Sequence, residues 1–179
     1  QAAAEADPTG VATPTVEPPS INGWRVFVVD AHSLIFQVFH ALPEMTSPRG
    51  EHVNAVFGFT RDILQILEKK QPDALICALD PPGPTFRDQM YAQYKADRGT
   101  MPEELVGQIP KIEQVLHALG IPVISRLGYE ADDVLATLAR RCDEAGAECF
   151  LVSGDKDCRQ LITDRVAIYN IRKDEVFDA

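Results

Sequence analysis

The stretch WRVFVVD, residues 24–30, decides the fold class of this 179-residue chain. It is almost entirely apolar, it contains three β-branched valines, and it ends in an aspartate. An apolar run of this length is typical of a strand that is buried on both faces, as the strands of a parallel sheet are. Further runs with strand character follow along the chain at 73–80, 121–125, 147–155 and 165–171.

Helical patterns separate these strands. They cover residues 33–41, 53–70, 101–120 and about 130–145, and a short helix begins at 156. Pro110 predicts a bend or a restart within the third of them, and Gly120 is placed to end it. Alternating strands and helices predict an α/β fold with a parallel sheet covered by helices on both faces. Such sheets bind ligands at the carboxyl ends of their strands.

The N-terminal 20 residues have a different character. Residues 1–20 are rich in Ala, Pro and Thr and show no apolar periodicity, so we expect a disordered tail or linker, with the ordered part in 21–179. The chain has no apolar run of transmembrane length and no signal peptide, which predicts a cytoplasmic protein with no membrane partner. The four cysteines form no C-x-x-C pair, so we expect reduced, buried thiols.

The net charge of −10 argues at first against a nucleic-acid partner. The distribution of the charge changes that conclusion. With three acids in the tail and seven in one cluster set aside, 17 of the 27 acids remain, which equals the number of Lys and Arg residues. The body of the protein is therefore neutral, and the acidity is concentrated in the tail and the cluster.

That cluster follows four successive strands. Its members are Asp30, Asp80, Glu130, Asp132, Asp133, Asp155 and Asp157. A single acid at a strand end is ordinary as a turn or helix-capping residue, and three at one helix start could be a solvated N-terminus. Seven acids at one edge of a sheet repel one another strongly unless cations compensate them. Because the set contains no His or Cys, Mg²⁺ or Mn²⁺ fits it best.

A carboxylate site for two metal ions suits the hydrolysis of phosphodiesters, since the ions can activate water and stabilise the leaving oxygen. A metal-loaded edge would also attract a phosphate that a bare acidic edge repels. The segment GPTFRDQMYAQYKADR, 83–98, supports a nucleic-acid substrate. At helical spacing, one face would carry Arg87, Tyr91, Tyr94, Lys95 and Arg98. Basic residues interleaved with aromatics suit a phosphate backbone and unstacked bases, although a solvated face with packed tyrosines remains an alternative.

Several blocks together resemble a known family. They are VVDAHSLIFQVFHALP, LDPPGPTFRDQMYAQYKADR, MPEEL, LGIPVISRLGYEADDVLATLA and SGDKDCRQLI. Over residues 24–179, their order and spacing are similar to the 5′-3′ exonuclease domain of bacterial DNA polymerase I, in the flap endonuclease superfamily. The resemblance implies a PIN-like (resolvase-like) fold and two-metal-ion hydrolysis, with two Mg²⁺ or Mn²⁺, at 5′ ends and 5′ flaps of DNA. The substrate would be a 5′ flap, a nick or a single-stranded 5′ end.

The resemblance also assigns roles to residues. It implies metal binding by all seven acids of the cluster. It places Lys95 and Arg98 over the active site, where Lys95 would approach the scissile phosphate as a catalytic residue and Arg98 would help to hold the strand. A C-terminal polymerase region in the parent chain is a further expectation.

This sequence departs from the family pattern at several positions. Ala31 stands where Gly is usual, Gln37 where an Arg is usual, and Asp97 where Asn is common. The family continues into further metal-binding aspartates and a helix-hairpin-helix region, both of which would follow residue 179. We therefore expect the chain by itself to be weakly active or inactive.

Two other classes of function fit parts of the pattern. A haloacid dehalogenase-type phosphatase would explain SGDKD, but that class needs a second Asp where this chain has His32. A non-catalytic DNA-binding or interaction module with a nuclease fold is the stronger alternative, and metal binding would discriminate against it. The histidines are scattered, and the sequence assigns them no chemistry; they are His32, His40, His52 and His117.

Overall fold

The fold was analysed in a computed structural model, which describes residues 19–91 and 101–179. The strands are β1 (Arg25–Asp30), β2 (Ala74–Ala78), β3 (Val123–Ile124), β4 (Glu148–Val152), β5 (Val166–Asn170) and β6 (Glu175–Phe177). The helices are α1 (Ala31–Ala41), α2 (Asn54–Lys70), α3 (Phe86–Met90), α4 (Glu103–Val106), α5 (Ile109–Ala118) and α6 (Ala131–Glu144). A 3₁₀ helix spans Lys156–Leu161. Residues 1–18 of the predicted tail lie outside the described part of the chain.

The strands form one sheet in the order β3-β2-β1-β4-β5-β6. The first five are parallel, and β6 is antiparallel to β5. Val28 of β1 lies between Ile76 of β2 and Leu151 of β4, which places β1 in the middle of the sheet. The prediction of a parallel sheet is thus confirmed for five strands, and β6 is an addition that the sequence did not reveal.

Side chains of β1 alternate between two cores. Phe27 and Val29 belong to a core that packs against α1, α2 and α5, whereas Val26 and Val28 belong to a core under α6. Because both faces are covered, every position of this strand after Arg25 is buried. This confirms the predicted layers of helices on both faces and explains why the run is continuously apolar rather than alternating.

The helical region 101–120 is divided where the sequence predicted a restart. α4 ends at Val106, and Pro110 lies in the first turn of α5. Proline is tolerated there because the first-turn N–H groups have no partner within the helix. Gly120 follows α5 with a φ of +69°, the left-handed conformation that glycine adopts without strain.

The cysteines, and the length and apolar character of the helices, bear on two further expectations from the sequence. The four cysteines are buried and unpaired, as predicted. In residues 19–91 and 101–179, no helix combines the length and apolar character needed to cross a bilayer.

Candidate metal centre

The carboxyl ends of the parallel strands open into a broad cleft of about 1590 Å³. Six of the seven predicted acids line it: Asp30, Asp80, Glu130, Asp132, Asp155 and Asp157. The seventh, Asp133, is not among the lining residues. Acids that lie up to 127 positions apart in sequence are thus brought to one edge because parallel strands all end on the same side.

Asp30 is the N-cap of α1 and is only 5% exposed. Its Oδ1 accepts the Ser33 N–H at 3.0 Å, and its Oδ2 accepts the Ser153 hydroxyl at 3.0 Å. Burial raises the pKa of Asp30, these hydrogen bonds oppose the rise, and the nearby charges of Asp80 and Asp155 add to it. The mutual repulsion between these acids is thus already felt at this buried carboxyl.

Asp80 lies two residues beyond the end of β2 rather than at its last position. Its Oδ1 accepts the backbone N–H of Ala131 at 2.5 Å, which ties it to the start of α6. The backbone N–H of Asp80 donates to Nδ1 of His32 at 3.1 Å, and that same nitrogen is 3.3 Å from Asp80 Oδ2.

His32 is therefore part of the site, although the sequence assigned it no chemistry. The available signal was its position two residues after Asp30, in the first turn of a helix that starts at the carboxyl edge. The sequence analysis also did not identify Ser33 and Ser153 as site residues. Neither serine by itself indicates a site in the sequence. They find their partners in the cleft only because α1 lies next to the end of β4.

The start of α6 combines capping with acid clustering. Glu130 is the N-cap, and its backbone N–H donates to Oδ2 of Asp133 at 2.9 Å. Arg87 donates from both terminal nitrogens to the Asp133 carboxylate at 2.7 Å each, and lies 3.6 Å from Glu130. Asp133 thus serves as a capping residue and as the partner of an arginine. Its metal-binding role remains a prediction.

Asp155 and Asp157 begin the 3₁₀ helix after β4. Oδ1 of Asp155 accepts the Asp157 N–H at 2.9 Å, and the Asp155 N–H donates to the Ser153 hydroxyl oxygen at 3.1 Å. Both acids are exposed to the cleft, in contrast to Asp30.

The chemistry of the lining residues fits a hard divalent cation, since six carboxylates supply only oxygen ligands. Among the described residues, no three acid, imidazole or thiol side chains already converge tightly enough to hold an ion.

The predicted nucleic-acid face is described only in part. Residues 92–100 fall outside the described residues, and with them Tyr94, Lys95 and Arg98. α3 ends at Met90, and Tyr91 has extended backbone angles. The prediction that Arg87 and Tyr91 share one helix face is therefore wrong. This five-residue helix buries none of its side chains, so it lacks the tertiary packing that stabilises longer helices.

Comparison with known proteins agrees with this architecture. A family model described as 5′-3′ exonuclease, N-terminal resolvase-like domain matches residues 25–179. The chain belongs to this family.

Its relatives include a protein named 5′-3′ exonuclease from Aquifex aeolicus, which is 38% identical over 85% of this chain and 53% of its own length. A thermostable DNA polymerase I from Thermus aquaticus is 42% identical over 80% of this chain and 17% of its own length. The chain thus spans about half of the first relative and a smaller part of the second.

Solved structures show the same fold at low sequence identity. The 5′-exonuclease of T5, solved with zinc ions, has a TM-score of 0.65 at 19% identity over 86% of this chain and 58% of its own. The flap endonuclease of bacteriophage T5, solved as a pseudo-enzyme-product complex with DNA and metal ions, has a TM-score of 0.65 at 20% identity over 86% of this chain and 57% of its own.

Proposed function

We propose that this chain takes part in two-metal-ion hydrolysis of phosphodiester bonds at 5′ ends and 5′ flaps of DNA. The observation that carries the proposal is the single cleft lined by six carboxylates from four strand ends. Membership of the exonuclease family supports it. So do the names of the relatives, which describe exonucleases, DNA polymerases and a flap endonuclease bound to DNA and metal ions.

The residues of the cleft would hold the ions as follows. The six lining carboxylates, with Asp133 beside them, supply the ligands, and Mg²⁺ or Mn²⁺ matches their hardness. When bound, two such ions supply an activated water and a stabilised leaving oxygen. The chain itself keeps the acids in place. Ser33 and Ser153 fix Asp30, and the backbone of Ala131 fixes Asp80.

The roles of the basic segment are proposed from its sequence and its family. Lys95 would approach the scissile phosphate, and Arg98 would hold the strand. Tyr91 and Tyr94 would contact unstacked bases. Arg87 is a candidate for the same surface, but its guanidinium is bound to Asp133. The DNA would carry a 5′ flap, a nick or a free 5′ end. We further propose that the protein acts in the cytoplasm, alongside a polymerase region as in the Thermus aquaticus relative.

Cleavage of a labelled 5′-flap oligonucleotide with MnCl₂ or MgCl₂ tests the proposal. We expect slow turnover by the 179-residue chain, since it spans only 53% of the Aquifex relative. We expect faster turnover by any longer parent chain. Asp155→Asn should lower the rate on the order of 10²-fold, because losing one anionic ligand would shift an ion and the phosphate it holds, and a displacement of about 1 Å has an effect of that size.

Asp164→Asn is the matched control, since Asp164 is exposed and does not line the cleft. Equal rates for the Asp155 and Asp164 variants would contradict the proposed site. Calorimetry with Mn²⁺ distinguishes the proposed nuclease from the alternative, a non-catalytic DNA-binding module. A chain that binds DNA but shows no heat of Mn²⁺ binding would be a non-catalytic module.

A further inference from the structure

One serine hydroxyl joins two of the strand ends that carry acids. Ser153 directly follows β4, and its hydroxyl donates to Oδ2 of Asp30 at 3.0 Å. The same oxygen accepts the backbone N–H of Asp155 at 3.1 Å. A single side chain therefore links an acid at the end of β1 to an acid after β4.

The direction of these hydrogen bonds is fixed by the groups involved. A backbone N–H can only donate, so the Ser153 oxygen must accept from Asp155. An ionised carboxylate can only accept, so the hydroxyl proton must point to Asp30. The second oxygen of Asp30 accepts the Ser33 N–H at 3.0 Å. Because each carboxylate oxygen has about two acceptor sites, both oxygens keep capacity for a cation while the carboxylate plane is held from both sides.

A second hydroxyl reinforces the same junction. Oγ of Ser33 accepts the Gly154 N–H at 3.2 Å and the Nε2–H of Gln37 at 3.1 Å. A Cβ added at Gly154 would lie 2.2 Å from Nε2 of Gln37, so the loop and the helix α1 are in close contact here. Gln37 is thus part of the contact that places the loop carrying Asp155.

We propose that Ser153 is a positioning residue for divalent-ion binding, which sets the orientation of Asp30 relative to Asp155 through its hydroxyl. The inference rests on the proposed metal-binding function. Its physical basis is that a carboxylate free to rotate must be ordered when the ion binds. Groups that hydrogen-bond to ligating carboxylates typically account for about 10–100-fold in metal affinity.

Titration calorimetry of Mn²⁺ into the DNA-free 179-residue chain tests this role. We expect Ser153→Ala to weaken Mn²⁺ binding by about 10–100-fold, and Ser153→Thr, which keeps a hydroxyl, to retain the wild-type affinity. The matched control is Ser47→Ala. The Ser47 hydroxyl, like that of Ser153, makes two hydrogen bonds: it accepts the N–H groups of Arg49 at 3.2 Å and Glu51 at 3.3 Å, and Ser47 does not line the cleft.

Melting of each variant in EDTA separates positioning from unfolding. Loss of one hydrogen-bonding hydroxyl should lower the midpoint by about 2–4 °C in both alanine variants, whereas only Ser153→Ala should lose Mn²⁺ affinity. The inference is overturned if Ser153→Ala binds Mn²⁺ like the wild type, if Ser47→Ala loses as much, or if Ser153→Thr fails to restore binding. Failure of the proposed function is distinguishable from these outcomes. In that case the wild-type chain itself binds no Mn²⁺, which overturns the metal-binding proposal and this inference with it.

Discussion

Asp30 has the lowest exposure of the acids in the cleft, and it is held by two hydrogen bonds. Burial of an ionised carboxylate costs free energy, and the two hydrogen bonds recover only part of it. The raised pKa of Asp30 expresses that cost, since the ionised form is less favourable in the folded chain than in the unfolded chain. A cation bound at Asp30, as proposed, would offset this cost.

We expect Asp30→Asn to raise the melting temperature of the metal-free protein at pH 7. The pKa of Asp30 is higher in the folded chain than in the unfolded chain, where it is about 3.8. The destabilisation by the ionised carboxylate is therefore absent below pH 3.8, and it grows as the pH rises through the pKa of the folded state. The gain should therefore shrink as the pH is lowered towards 4. Thermal scans in EDTA across this range provide the measurement. A variant that is less stable than the wild type at pH 7 would show that the ionised carboxylate stabilises the fold.

Substitution of Lys95 tests the proposed contact with DNA. Lys95→Ala should weaken single-strand binding and reduce the slope of log affinity against log salt by about 0.7, the value for one phosphate contact on a single strand. Lys173→Ala is a control that removes an exposed lysine from the rim of the same cleft. Identical salt slopes for wild type and Lys95→Ala, measured by fluorescence anisotropy, would indicate a solvated face.

Among the elements, α2 depends on a neighbour to satisfy its N-terminus. Its own N-cap, Val53, has no side chain that can accept a hydrogen bond. Gln108, which lies between α4 and α5 and is 1% exposed, accepts the N–H groups of Ala55 and Val56 at 2.8 and 3.1 Å. Its amide also donates to Asn54 at 2.9 Å. The elements that follow residues 92–100 are therefore fixed to α2 by a buried polar contact.

Replacing Gln108 with Ala should destabilise the protein by about 2 kcal/mol, because two helix N–H groups and Asn54 lose a buried partner. For a domain of this size, that corresponds to a fall of about 4–8 °C in the melting temperature. Gln114→Ala removes an exposed glutamine from α5 and should have little effect. Equal melting temperatures for the two variants, measured by circular dichroism, would mean that water replaces the Gln108 amide at no cost.

For the whole molecule, the proposed ion binding in the cleft would make stability depend on divalent cations. Acids from four strands repel one another at one edge of the sheet, and an ion bound only by the folded state adds RT ln(1 + [L]/Kd) to the free energy of unfolding. This contribution is about 2.7 kcal/mol when the ion concentration is 100 times Kd.

We therefore expect millimolar MnCl₂ or MgCl₂ to raise the melting temperature relative to EDTA at matched ionic strength. Asp155→Asn should reduce this shift, and Asp164→Asn should preserve it. A shift of equal size with both variants would indicate general screening of charge rather than binding in the cleft.

The sequence by itself determined the layers of the fold and the edge at which the acids meet. WRVFVVD is apolar at consecutive positions because both faces of β1 are covered, and strand-end acids gather because parallel strands end on one side. These are consequences of local pattern and chain direction. β6 was not predictable in this way, since a three-residue edge strand has too short a pattern.

Only the tertiary structure decided which polar side chains meet at that edge. Arg87 contacts Asp133 across 46 positions of sequence, and Ser153 contacts Asp30 across 123. Such pairs leave no periodic signal, because each depends on the packing of separate elements rather than on spacing along one of them. The sequence therefore located the acidic edge of the sheet, whereas the fold selected the serines, the histidine and the arginine that contact its acidic residues.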